Sequence, residues 1–86
     1  MKELKVTLKN EEGLHARPAA MFVRAANQFT SDITIVSDGD EVNGKSIIGI
    51  MSLGLYSGQE ITLQADGADE TEAVEYLANF IENELE

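Results

Sequence analysis

His15, Arg17 and Pro18 are the residues of this chain whose types and spacing could do chemistry. They lie within Gly13-Leu14-His15-Ala16-Arg17-Pro18-Ala19-Ala20, and His15 and Pro18 are the only histidine and the only proline present. Proline is favoured in the first turn of a helix, where its missing N–H costs nothing. An apolar helical pattern follows it, so His15 is expected at or just before a helix N-terminus, beside free backbone N–H groups. An imidazole is nucleophilic in its neutral form, which is well populated at neutral pH. A phosphoryl group carried there would face the N–H groups of Ala16 and Arg17, the positive end of the helix and the Arg17 guanidinium. Gly13 allows the tight turn that keeps the ring exposed. Phosphoryl transfer needs mainly positioning and charge stabilisation, which such a surface site can supply. From these residues alone a blander reading stays open, in which His15 only caps a helix and Arg17 is a surface charge. Metal binding is poorly served, since Glu11 and Glu12 are the only nearby ligands. A hydrolase using His15 as general base lacks an orienting acid in the local sequence.

The rest of the chain must position that segment. With 86 residues it is expected to form a single domain, residues 1–86, with one modest core and no enclosed active site. Chemistry then belongs on the surface, with a partner completing the site. The absence of cysteine excludes disulfides and thiolate metal sites. A formal net charge of -10 argues against nucleic acid and anionic lipid as partners. No lysine or arginine follows Lys45, whereas acidic side chains crowd the stretch from Asp66 to Glu86. No membrane-spanning run and no signal-peptide core are visible, so a soluble cytoplasmic protein is expected.

Leu4, Val6 and Leu8 alternate with polar residues as a half-buried strand. Ala19, Phe22, Val23 and Ala26 follow a helical stripe that Phe29 extends. Ile33 and Ile35 begin a second strand, and Asp38-Gly39 marks a hairpin leading to a third over Glu41-Val42-Asn43, at a sheet edge. Ser46 as N-cap and Gly54 as terminator frame a short helix, although Gly49 and the β-branched run also suit a buried strand. Ile61, Leu63 and Ala65 form a fourth strand. Asp69 with Glu72 has the spacing of an N-cap and its N3 carboxylate, ahead of a last helix with Ala73, Leu77, Phe80 and Ile81 inward. The order β-α-β-β-α-β-α predicts an α+β two-layer sandwich, a mainly antiparallel four-stranded sheet with three helices on one face.

The segment around His15 resembles the active-site segment of HPr, the histidine-containing phosphocarrier of the bacterial phosphoenolpyruvate:sugar phosphotransferase system. Lys45-Ser46-Ile47 and Met51-Ser52-Leu53-Gly54 resemble that family's second helix, and Gly67-Ala68-Asp69-Glu70 its entry to the last helix. The resemblance implies that enzyme I, charged by phosphoenolpyruvate, phosphorylates His15 on Nδ1, and that His15 passes the group to sugar-specific enzyme IIA components. Arg17 would be the phosphate's partner, Pro18 the fixed helix start, and Ile47, Ile48 and Met51, with Arg24, the docking patch. Ser46 matches the family's regulatory serine, the target of a serine kinase and phosphorylase, which also implies a transcriptional regulator as partner. Ser52 reads as structural. No cofactor and no metal are implied, and the expected state is a monomer making transient complexes. The alternatives are the nitrogen-related branch of the same phosphotransfer family and a regulatory docking module of the same fold.

Three positions depart from the family's familiar pattern. Ile48 stands where methionine is common. Gly44 is small where a bulkier residue often packs. Glu12 is charged where a small polar residue is frequent, and its carboxylate is expected to make a phosphorylated His15 a slightly better donor.

Overall fold

The computed structural model describes residues 1–85. Its elements are β1 (Lys2–Thr7), α1 (Ala16–Ala26), β2 (Asp32–Ser37), β3 (Asp40–Asn43), α2 (Ile47–Ser52), β4 (Glu60–Asp66) and α3 (Glu70–Asn83). This is the expected order, and the Ser46 segment is helix rather than strand. The sheet runs β1-β4-β2-β3, with every neighbouring pair antiparallel.

Register explains which residues face the helices. Val6 pairs with Ile61, and Leu63 with Ile35, so alternate positions on three strands bury one apolar face. Phe22 of α1, Ile50 of α2 and Leu77 and Ile81 of α3 complete the core. The opposite face carries Lys5, Thr34, Val36, Thr62 and Gln64, and among the described residues no helix lies over it. Asp38 and Gly39 both take positive φ, 50° and 84°, the geometry that a two-residue hairpin joining β2 to β3 requires. Phe29 lies beyond the end of α1 and is half-buried, and Leu4 stays largely exposed although it shares the inward face.

Asp69 departs from the local capping pattern. It occupies the N-cap position of α3, yet its carboxylate makes no capping bond there. The carboxylate accepts instead from the backbone N–H of Thr30 (2.9 Å) and of Ser31 (3.0 Å), and from the Ser31 hydroxyl. The long-range bonds win because they satisfy three donors at the α1–β2 loop. The N–H of Gly67 donates to Glu70 Oε1 at 3.1 Å, so Glu70, not Glu72, closes the helix entry.

The Ser31 hydroxyl and the Thr30 N–H pull the Asp69 pKa down from 3.8 to about 2. A carboxyl group that is more acidic when folded stabilises the fold fully above its unfolded value, and that contribution fades as pH falls toward its folded value. Between 3.8 and about 2 the parent is therefore expected to lose stability more steeply than Asp69→Asn. Urea midpoints measured across that window check it, and parallel acid limbs would remove Asp69 as the cause.

Gly44 is buried because nothing larger fits. An added Cβ would lie 2.6 Å from Ile33 Cγ2, and the Gly44 N–H donates to the Ile33 carbonyl at 2.7 Å. No space waits there for a bulkier residue, because the chain closes directly on β2.

Candidate phosphate-accepting site at the start of helix α1

His15 is the N-cap residue of α1, extended at φ -80° and ψ -165°. Its carbonyl accepts the first helical bond, from Ala19 N at 2.8 Å, while its exposed side chain makes no capping bond. Pro18 offers no N–H, and among the described residues the Ala16 and Arg17 N–H groups have no protein acceptor. Two backbone donors therefore remain at the positive end of the helix, next to the imidazole. The Arg17 side chain is exposed and, among the described residues, forms no ion pair.

The segment before His15 is held from both sides. Asn10 Nδ2 donates to the Gly13 carbonyl at 2.7 Å, and the Gly13 N–H reaches the Asn10 carbonyl at 3.3 Å. Leu14 is buried, and its N–H donates to the Leu55 carbonyl at 3.2 Å. That bond joins two segments far apart in sequence and creates a cleft of about 250 Å³ lined by Leu14, His15, Met51, Gly54, Leu55 and Tyr56.

Tyr56 and Leu55 have no part in the sequence-derived site. Tyr56 is 64% exposed at the rim of the cleft. Gln59 fixes its backbone, accepting the Tyr56 N–H on Oε1 and donating its own N–H to the Tyr56 carbonyl, both at 3.2 Å. An aromatic residue outside every apolar stripe was the only signal in the sequence. A larger depression, about 320 Å³, lies on the opposite sheet face among Glu3, Leu4, Lys5, Val36, Thr62 and Gln64. It offers no imidazole and no helix terminus, whereas the smaller cleft is lined by His15.

On α2, Ile47, Ile48 and Met51 are all exposed, Ile48 at 82%. Met51 also lines the His15 cleft, so this apolar patch reaches the imidazole. Arg24 lines a groove between α1 and α3 with Met21, Gln28, Tyr76 and Phe80. Ser46 caps α2, its Oγ accepting the Gly49 N–H at 3.0 Å, and Gly54 follows the helix at φ 62°. Ser52 Oγ donates to the Gly49 carbonyl at 2.6 Å within the same helix. Ser46→Ala is expected to cost ~1 kcal/mol through the lost cap, read as a lower urea midpoint; no change would mean that the cap adds nothing.

A family model described as the PTS HPr component phosphorylation site matches residues 2–83. The chain belongs to the HPr family. HPr proteins are phosphocarriers rather than catalysts, and the α+β architecture described above is the HPr fold. The HPr-like protein Crh of Bacillus subtilis is 51% identical over 85 residues, covering 99% of this chain and 100% of that relative. The phosphocarrier protein HPr of Buchnera aphidicola is 49% identical over 84 residues, covering 98% of this chain and 95% of its own length. A crystal structure of HPr from Thermoanaerobacter tengcongensis superposes with a TM-score of 0.92 at 51% identity, covering 95% of this chain and 92% of that one.

The expectation of a monomer does not follow from this family. A second structure from T. tengcongensis is an HPr dimer, and Crh of B. subtilis forms a dimer by domain swapping. None of the helices among the described residues is long and apolar enough to cross a membrane.

Proposed function

We propose that this chain relays a phosphoryl group as phosphohistidine at His15, accepting it from phosphorylated enzyme I and passing it to sugar-specific enzyme IIA components in the cytoplasm. The observation that carries the reading is an exposed imidazole at the N-cap of α1, beside two backbone N–H groups that have no protein acceptor among the described residues. In the transfer the bond between phosphorus and enzyme I breaks as an N–P bond forms at the neutral imidazole, and the three phosphoryl oxygens, sharing about two negative charges, come to lie where Ala16 N–H, Arg17 N–H and the guanidinium can receive them. Little rearrangement is needed, because the donors are held by the start of the helix before the phosphate arrives.

In this reading Pro18 sets the helix start, and Ile47, Ile48 and Met51 dock partners beside the imidazole. Arg24 would meet them from the α1–α3 side. Ser46 is the regulatory phosphorylation site, where about two added negative charges would confront acidic partners and slow the reaction at His15 by electrostatics. The whole of residues 1–86 acts as one domain.

Incubation with phosphoenolpyruvate and enzyme I tests the relay. An acid-labile phosphoryl label that moves on to an enzyme IIA component is expected. A label that survives acid, or no label at all, would sink it.

A regulatory docking module is the second reading, favoured by the high identity to HPr-like protein Crh. It would bind a transcriptional regulator through the α2 patch without using His15. The presence of an imidazole at position 15 supports the relay instead.

Glu12 lies exposed in the turn just ahead of Gly13. Its charge should repel the phosphoryl oxygens, so Glu12→Ser is expected to shift the transfer equilibrium modestly toward phosphorylated His15. Equal equilibria for both proteins at low salt would end that idea.

A further inference from the structure

Asn43 and Gly44 are the chain's one Asn-Gly pair. In such pairs the glycine nitrogen can attack the asparagine side-chain amide, because no Cβ hinders the approach. The fold restrains both partners here. Asn43 ends β3, a four-residue edge strand that pairs only with β2. Its Oδ1 accepts the Lys45 N–H at 2.9 Å. The Gly44 nitrogen is engaged too, donating to the Ile33 carbonyl at 2.7 Å, and Gly44 is buried against the Ile33 side chain. The attacking nitrogen is therefore occupied as long as this edge is zipped. A short edge strand opens at far lower free energy than the whole domain, and opening frees both groups.

We propose that Asn43 is a deamidation site gated by β3, closed while that strand pairs with β2 and open when the edge frays. In the step, the Gly44 nitrogen gives up its proton and bonds to Asn43 Cγ. The Cγ–Nδ2 bond breaks, and the amide nitrogen leaves as ammonia. Water then opens the resulting succinimide at either carbonyl, giving aspartate or isoaspartate. Aspartate keeps an oxygen for the Lys45 N–H. Isoaspartate routes the main chain through the side chain, adds a methylene and withdraws that acceptor. The lesion falls three residues before Ser46, at the junction that starts α2 and its apolar patch, and it does not depend on the phosphoryl relay.

The experiment incubates the full chain in mildly alkaline buffer, folded and in urea. Peptide mapping by mass spectrometry locates the conversion, and labelling by an isoaspartyl methyltransferase reports the isoaspartate. Conversion at Asn43 is expected to be many-fold faster in urea than in the folded protein. Two variants loosen the edge and leave both residues of the pair unchanged. Gly39→Ala strains the β2–β3 turn at φ 84° where an added Cβ meets nothing within 4 Å, and Val42→Ala removes apolar packing from β3. Either variant that stays folded should convert faster than the parent in native buffer. Equal rates in the folded and unfolded parent would overturn the gate, and no conversion at Asn43 in urea would overturn the site. Folded variants that react no faster than the parent would exclude opening through β3.

Discussion

His15→Ala is expected to remove all phosphoenolpyruvate-dependent, acid-labile label while leaving the fold essentially as stable as the parent. The two outcomes follow from one geometry. The imidazole contributes no capping bond to α1, and its ring is exposed, so its loss empties no core space and orphans no buried group. Surface changes of that kind usually stay within ~0.5 kcal/mol. The helix start should survive as well, since Pro18 and the bond from Ala19 N to the residue-15 carbonyl do not involve the side chain. Labelling and urea denaturation on the same preparation separate the effects. Residual label on another residue would contradict the relay, and a large loss of stability would contradict the described exposure.

Gly13→Ala should do the reverse, damaging the fold at a position that has no reactive group. Gly13 sits at φ +65°, and an added Cβ would collide with the Leu55 carbonyl oxygen and lie 2.6 Å from Tyr56 Cα. Both obstacles are backbone, so no rotamer change relieves them. The left-handed conformation costs an alanine roughly 1–2 kcal/mol, and overpacking adds roughly 1–3 kcal/mol. For a domain of this size that is a fall in melting temperature of roughly 10 °C or more. Gly54→Ala is the control, because Gly54 has nearly the same φ, +62°, with nothing within 4 Å of the added carbon. The difference between the two variants isolates the collision. Equal melting temperatures would show that the 13–14 and 55–56 segments are not pressed together. Phosphorylation of Gly13→Ala should slow too, since the same segment delivers His15 to the cleft.

Much of this was legible in the residues themselves, and the misses share a cause. The helix start at His15 was readable because Gly13 and Pro18 act on the nearest few bonds. The α2 boundaries were readable because Ser46 and Gly54 are local signals. Asp69 holds the expected N-cap position of α3, but its carboxylate does not cap, because Thr30 and Ser31 lie in a distant loop and offer three donors together. Tyr56 and Leu55 were missed for a similar reason, since the Leu14–Leu55 hydrogen bond that sets them beside His15 is tertiary. At Gly44 the sequence shows only a small residue where a bulkier one often packs, and the closeness of Ile33 that leaves no room for a Cβ is again tertiary.

The helices cover one side of the sheet, and the reactive end of α1 belongs to that layer. Thr34 and Thr62 project from the bare side. A fluorophore or an immobilising tether attached at either threonine would leave the imidazole clear of the label, and a carrier fixed to a sensor surface by its back could still exchange its cargo from the front.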